Sequence, residues 1–307
     1  MRKVIFVLSS ARSGTTSLCN HLCQHNEIFG LQAKEHYGIM EFKFIAELRY
    51  FFDNIIDEID YFTFLNIFTQ SDLFRASGLS ADIFLDNKKK NIFSFVNFFV
   101  KETLKKSGES YWINNCPKQS FYIKDLLKLY PNAYFLHLKR PLLDTVKSNT
   151  RKFTGKRFLG FAQKVFRYQT DHIPVANFKT KIKNFHEIKS YDHDEGRWNF
   201  DEKTLREVIS FLNLEWDSKI LLNPYKTNSS FDSGKEKKGF FGSREQNITN
   251  LCAAFFNFLP FNLLRAPIRR NWDLHQLKKS NSYPFNFRLH KDSSYFQSKN
   301  FHLIRGK

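Results

Sequence analysis

The stretch Val4-Ile5-Phe6-Val7-Leu8-Ser9-Ser10-Ala11-Arg12-Ser13-Gly14-Thr15-Thr16-Ser17-Leu18 constrains this chain more than any other. Five consecutive apolar residues rich in Val, Ile and Phe suit a parallel strand covered on both faces. The small residues that follow let backbone amides converge on an anion. Thr15, Thr16 and Ser17 then open a helix whose N-terminus favours negative charge. Strand, tight loop and helix start together make a phosphate cradle, with Ser13, Gly14, Thr15, Thr16 and Ser17 as its binding residues.

The position of the basic residue decides which phosphate fits. A nucleotide-triphosphate loop needs glycine, four residues, glycine, lysine and then Ser or Thr. With Gly14 as the second glycine, Ser9 stands at the first and Thr15 at the lysine. The positive charge comes instead from Arg12, two residues before the glycine.

A second basic anchor follows in Leu138-Lys139-Arg140-Pro141-Leu142-Leu143-Asp144-Thr145-Val146-Lys147-Ser148. The run Ala133 to Leu138 reads as a strand, and Arg140 stands at its carboxyl end, where open parallel sheets bind their ligands. Arg140 therefore shares an edge with the Arg12 loop. Its planar fork of donors suits phosphate, and Ser148, about two turns into the next helix, can add a hydroxyl.

These two segments resemble the sulfotransferases that use 3′-phosphoadenosine 5′-phosphosulfate (PAPS). In that family the first loop commonly reads Lys or Arg, one residue, Gly, Thr, Thr. The second motif places an acidic residue four after the Arg and a Ser eight after it, as Arg140, Asp144 and Ser148 stand here. The resemblance implies a three-layer α/β/α fold with a central parallel sheet. It also implies PAPS as co-substrate without a metal, Arg12 at the 5′-phosphosulfate, and Arg140 with Ser148 at the 3′-phosphate. In heparan-type relatives a Lys-Glu pair after the first helix supplies the general base. Lys34-Glu35-His36 matches it, so Glu35 is the first choice of base and His36 the second. Relatives also carry a Lys where Asn115 precedes Cys116-Pro117, which leaves open whether Lys118 takes that part.

The remaining pattern predicts helices over Met40 to Ile59, Ile92 to Leu104, Phe121 to Tyr130, Pro141 to Asn149 and Glu202 to Leu212. Strands are expected over Tyr111 to Asn114 and Phe185 to Tyr191, and residues 60–90 read as irregular. At 307 residues the chain suits one large α/β domain or one domain with an appendage. The expected division is a sulfotransferase-like domain over 1–250, with 40–105 as a helical insertion on the acceptor side, and a basic aromatic extension over 251–307. The extension opens on Leu251 to Leu264, an amphipathic helix that packs on the core or rests on a membrane surface.

A formal charge of +18 calls for anionic partners without choosing among them. The four cysteines are too scattered for a disulfide framework. Cys19, His21, Cys23 and His25 look like metal ligands, but on a helix the two cysteines share one face and the two histidines another, so no metal site is expected. The first apolar run ends at Leu8, shorter than the ~7–15 residues of a secretory core, and no stretch is long enough to cross a bilayer. A cytoplasmic location is therefore expected.

With the two anchors, the resemblance implies sulfuryl transfer from PAPS to a hydroxyl of a saccharide or other small acceptor. A P-loop kinase of small molecules is the alternative enzyme, weakened by Thr15. A nucleic-acid or membrane-surface binder would explain the charge but not two spaced phosphate anchors; no nucleic acid is expected.

Overall fold

The computed structural model describes residues 3–33, 38–42, 58–88, 91–152, 158–189, 191–192, 197–198, 200–222 and 242–258. Strand β1 (Lys3–Leu8) leads through the Arg12 loop into helix α1 (Thr15–Leu22), and β2 (Ile28–Phe29) follows. The short strands β3 (Gln32–Ala33) and β4 (Gly38–Ile39) pair antiparallel, apart from the main sheet. Helices α2 (Glu58–Thr69), α3 (Asp72–Ser77), α4 (Asp82–Leu85) and α5 (Ile92–Ser107) come next. The order then runs β5 (Tyr111–Asn115), a 3₁₀ turn (Pro117–Tyr122), α6 (Ile123–Leu129), β6 (Tyr134–Leu138), α7 (Leu142–Lys152), α8 (Phe158–Phe178) and β7 (Asn184–Ile188). After the hairpin β8 (Tyr191–Asp192) and β9 (Arg197–Trp198) come α9 (Glu202–Phe211) and α10 (Ser243–Phe258).

The main sheet has the order β2-β5-β1-β6-β7 and every pairing in it is parallel. Strand β1 lies at its centre, which is why Val4 to Leu8 is an unbroken apolar run buried on both faces. Ile5 and Val7 face a cluster with Leu18, Cys19 and Leu22 of α1 and Leu205, Val208 and Ile209 of α9. Val4, Phe6 and Leu8 face the opposite cluster, with Phe95 and Phe99 of α5 and Leu126 of α6. The result is three layers, α/β/α, as the resemblance implies.

The described residues 60–88 are largely helical rather than irregular. The Ser71 hydroxyl accepts the Phe74 N–H at 3.2 Å to cap α3, and Gly78, at φ 65°, closes it in the left-handed region. These helices escape a periodicity search because α3 and α4 are too short to show one. In α2 the buried Tyr61, Phe64, Leu65 and Phe68 keep helical spacing, but the sequence of the helix also carries Ile59, Phe62 and Ile67, which blurs that period. Most of the helix expected over 40–59 lies outside the described residues.

Helix α8 has no counterpart among the expectations. Its buried Phe161, Val165, His172 and Val175 keep helical spacing, but Pro174, which ordinarily ends a helix, sits within it. Helix α10 packs on α8 and begins at Ser243, earlier than expected. Cys252 is buried while Leu251 and Phe255 are exposed. Among the described residues no helix is long and apolar enough to cross a membrane.

Candidate active site

After β1 the chain turns towards β2 on one side of the sheet, and after β6 it turns towards β7 on the other. The crevice between the carboxyl ends of β1 and β6 is thus a topological switch point, the usual ligand site of such sheets. Leu8 pairs in register with His137, so the segments carrying Arg12 and Arg140 leave the sheet side by side. The buried Ser9 hydroxyl ties them, donating to the Leu138 carbonyl at 2.5 Å.

The loop itself is tightly wound. Arg12 adopts φ 70°, a conformation that costs a side-chain-bearing residue roughly 1–3 kcal/mol and must be held by its surroundings. Arg140 holds it, its Nη1 donating to the Arg12 carbonyl at 2.8 Å. The Ser10 and Ser13 hydroxyls meet at 2.9 Å inside the loop, and both residues are buried. Gly14 caps α1 at φ 85° and brings no side chain to the first-turn amides of Thr15, Thr16 and Ser17. A helix start whose amides lack a side-chain cap offers them to an anion.

Asn115 lies under this helix start. It is fully buried, its Nδ2 lies 3.5 Å from the Thr16 hydroxyl, and its Oδ1 has no hydrogen-bond partner among the described residues. Turning the amide over would let the Thr16 hydroxyl donate to Oδ1. The Lys118 side chain lies outside the described residues.

Arg140 is 8% exposed and is fixed from several sides. Its Nε donates to the Tyr191 hydroxyl at 3.2 Å, and that hydroxyl donates to Asp144 Oδ2 at 2.8 Å. The Tyr168 hydroxyl donates to the Arg140 carbonyl at 2.7 Å. Burial pushes both phenols up to about 12. Ser148, one turn beyond Asp144 on α7, is buried. The structure therefore brings the loop of residues 12–17 together with Arg140 and Asp144. It adds Tyr168 and Tyr191, which carry no motif and which only tertiary packing reveals.

Behind Arg140 lies a chain of acid–base groups. Glu187 Oε2 is 3.1 Å from His137 Nδ1, and His137 Nε2 is 3.0 Å from His172 Nδ1. Burial lowers the pKa of both histidines, that of His172 well below the ordinary value. An ionised Glu187 can only accept, so His137 Nδ1 carries the proton between them and His172 Nδ1 donates to His137 Nε2.

Lys34, Glu35, His36 and Tyr37 lie outside the described residues. The chain that follows them is fastened. Asn20 Oδ1 accepts the Ile39 N–H at 2.8 Å, and Asn114 makes two bonds to the Phe42 backbone at 3.0 and 3.3 Å. The Cys19–His25 group has structural partners: His21 Nδ1 lies 2.7 Å from the Ile220 carbonyl and His25 Nε2 lies 2.9 Å from the Glu215 carbonyl. Cys19 is buried, and desolvation raises its thiol well above the usual range.

A family model described as "Sulfotransferase family" matches residues 4–218, which include both anchors. The chain belongs to the sulfotransferase family. Among solved structures it is similar to the sulfotransferase domain from the curacin biosynthetic pathway, at 15% identity and a TM-score of 0.51, covering 90% of this chain and 98% of that one. The sulfotransferase domain from the Synechococcus PCC 7002 olefin synthase matches at 16% identity and a TM-score of 0.48, over 90% and 96% of the two chains. The sulfotransferase STF1 from Mycobacterium tuberculosis H37Rv matches at 15% identity and a TM-score of 0.42, over 75% and 73%. A search of curated proteins finds no match. The first of these likenesses concerns the fold, and the family match makes the chain a sulfotransferase enzyme.

Proposed function

We propose that this sulfotransferase moves a sulfuryl group from PAPS to a hydroxyl of a saccharide or other small acceptor. The observation that carries the reading is the bond from the Arg140 side chain to the Arg12 carbonyl, which joins the two basic segments at one crevice. Arg12 and the amides of Ser13 to Thr16, with Ser17 beside them, would hold the 5′-phosphosulfate. Arg140 and Ser148 would hold the 3′-phosphate.

The acceptor oxygen attacks sulfur in line, and the bond from sulfur to the 5′-phosphate oxygen breaks. Adenosine 3′,5′-bisphosphate leaves, and the hydroxyl proton passes to Glu35, or to His36 in its place. The cradle's amides and Arg12 stabilise the charge that grows on the leaving phosphate. Every part of this scheme is supplied by residues of the chain and the two substrates.

Isothermal titration with 3′,5′-ADP, with ATP and magnesium, and with single-stranded DNA tests the donor assignment. Binding of 3′,5′-ADP alone supports it, whereas binding of ATP with magnesium and none of 3′,5′-ADP sinks it. Labelled PAPS offered to saccharides, phenols, lipids and tyrosyl peptides then identifies the acceptor. Glu35→Gln should abolish turnover with 3′,5′-ADP binding retained; normal turnover would move the base to His36 or elsewhere.

A further inference from the structure

We propose that Tyr191 is a positioning residue for the donor: its hydroxyl, anchored on Asp144, sets the plane of the Arg140 guanidinium that receives the 3′-phosphate. The inference rests on the donor reading above and adds the residue on which that anchor depends.

The direction of each bond follows from chemistry. An ionised carboxylate only accepts and a guanidinium only donates. The single phenolic proton therefore goes to Asp144 Oδ2 at 2.8 Å, and the phenolic oxygen accepts from Arg140 Nε at 3.2 Å. A guanidinium is planar and its N–H bonds lie in that plane. Two bonds that leave it in different directions, Nε to Tyr191 and Nη1 to the Arg12 carbonyl, fix both the tilt of the plane and its rotation within the crevice. The Tyr191 ring flanks the same group, 5.6 Å from Cζ to the ring centroid. Bidentate recognition of a phosphate depends on that orientation, and a small misplacement of a positioned group carries a large penalty.

The bridge is also electrically economical. A phenol whose proton is held to about pH 12 stays neutral throughout the working range, so it passes orientation from Asp144 to Arg140 without adding a charge beside the phosphate site. Tyr191 belongs to the β8–β9 hairpin, 47 residues from Asp144 and 51 from Arg140 along the chain. A peripheral hairpin thus sets the aim of a buried arginine.

The test compares 3′,5′-ADP with 5′-AMP by calorimetry, using Tyr191→Phe and Asp144→Asn. Tyr191→Phe keeps the ring and removes the hydroxyl. It should weaken 3′,5′-ADP binding about tenfold, the worth of one hydrogen bond to a charged group, and leave 5′-AMP binding as in the wild type. In turnover the loss should appear in the KM for PAPS rather than in kcat. Asp144→Asn, which keeps an acceptor at the same place, should give a smaller loss with the same selectivity, and it serves if the phenylalanine variant does not fold. Wild-type affinity for 3′,5′-ADP in either folded variant overturns the proposal, as does an equal loss of both nucleotides. A wild-type protein that binds no 3′,5′-ADP overturns the donor reading itself, an outcome distinct from variants that match a wild type that binds.

Discussion

The two faces of the central sheet are filled with different material. On the α1 side the buried residues are mostly aliphatic: Ile5, Val7, Leu18, Leu22, Leu136 and Leu205. The opposite side is built from rings, among them Phe6, Phe68, Phe84, Phe95, Phe99 and Trp112. Phe68 sits 5.2 Å from Phe95 and 5.4 Å from Phe99, both edge-on, an arrangement that adds to simple burial. Helix α1 must bring its first-turn amides to the end of β1, and compact aliphatic contacts let it lie close enough. The helices of residues 58–107 have no such duty and can stand off on large side chains. The aliphatic face thus positions the α1 amides of the anion site, and the aromatic face supplies a large share of the stability.

That division can be broken in order of effect. Phe99→Ala should cost about 3–5 kcal/mol in denaturant unfolding, the range for truncating a buried Phe, while the folded fraction keeps its affinity for 3′,5′-ADP. A matching loss of affinity would show that the faces are not separable. Arg140→Ala should weaken 3′,5′-ADP binding roughly 100-fold, equivalent to about 2–3 kcal/mol, as expected for charge-assisted bonds. Ser9→Ala strips the tie between β1 and β6 and leaves the Leu138 carbonyl without it, a cost of about 1–2 kcal/mol in unfolding. A neutral result would mean that strand pairing alone aligns the two anchors.

The smallest effect concerns pH and belongs to the aromatic side, where His137 of β6 meets His172 of α8. Burial lowers the pKa of both in the folded state, with the Glu187 bond opposing the shift at His137. Below the ordinary histidine value of ~6.5 the unfolded chain therefore binds more protons than the folded one. Stability contributed by these two groups is present above that pH and is lost as pH falls through it. Thermal midpoints measured from pH 7.5 to 5.5 should decline, and His172→Phe should flatten the decline. Equal slopes for the two proteins would remove the histidine chain from the account.

The part of the molecule legible from sequence is the part encoded locally. The Arg12 loop, β1 and the Arg140–Asp144–Ser148 offsets each occupy one short run, and their strand-end positions follow from hydrophobic pattern alone. What stayed hidden depends on contacts distant in sequence. Tyr191 stands after β7 as an ordinary strand-end aromatic, and nothing near it in the chain points to Arg140. Helix α8 was obscured by Pro174, and the helices of 58–85 by their short length and blurred apolar period. The Cys19–His25 group looked like ligands, yet both histidines serve main-chain carbonyls. Asn115 shows the reverse case, since its place is evident from the motif but its buried oxygen, unmatched among the described residues, is not.

The measurement that bears most directly on the account is a calorimetric comparison of 3′,5′-ADP with 5′-AMP and 3′-AMP on the wild-type chain. If both basic segments grip one nucleotide, the bisphosphate should bind at least 100-fold more tightly than either monophosphate, a gain of about 2.7 kcal/mol. Equal affinities for the bisphosphate and 5′-AMP would mean that the Arg140 segment takes no part, and the two-anchor site would be refuted.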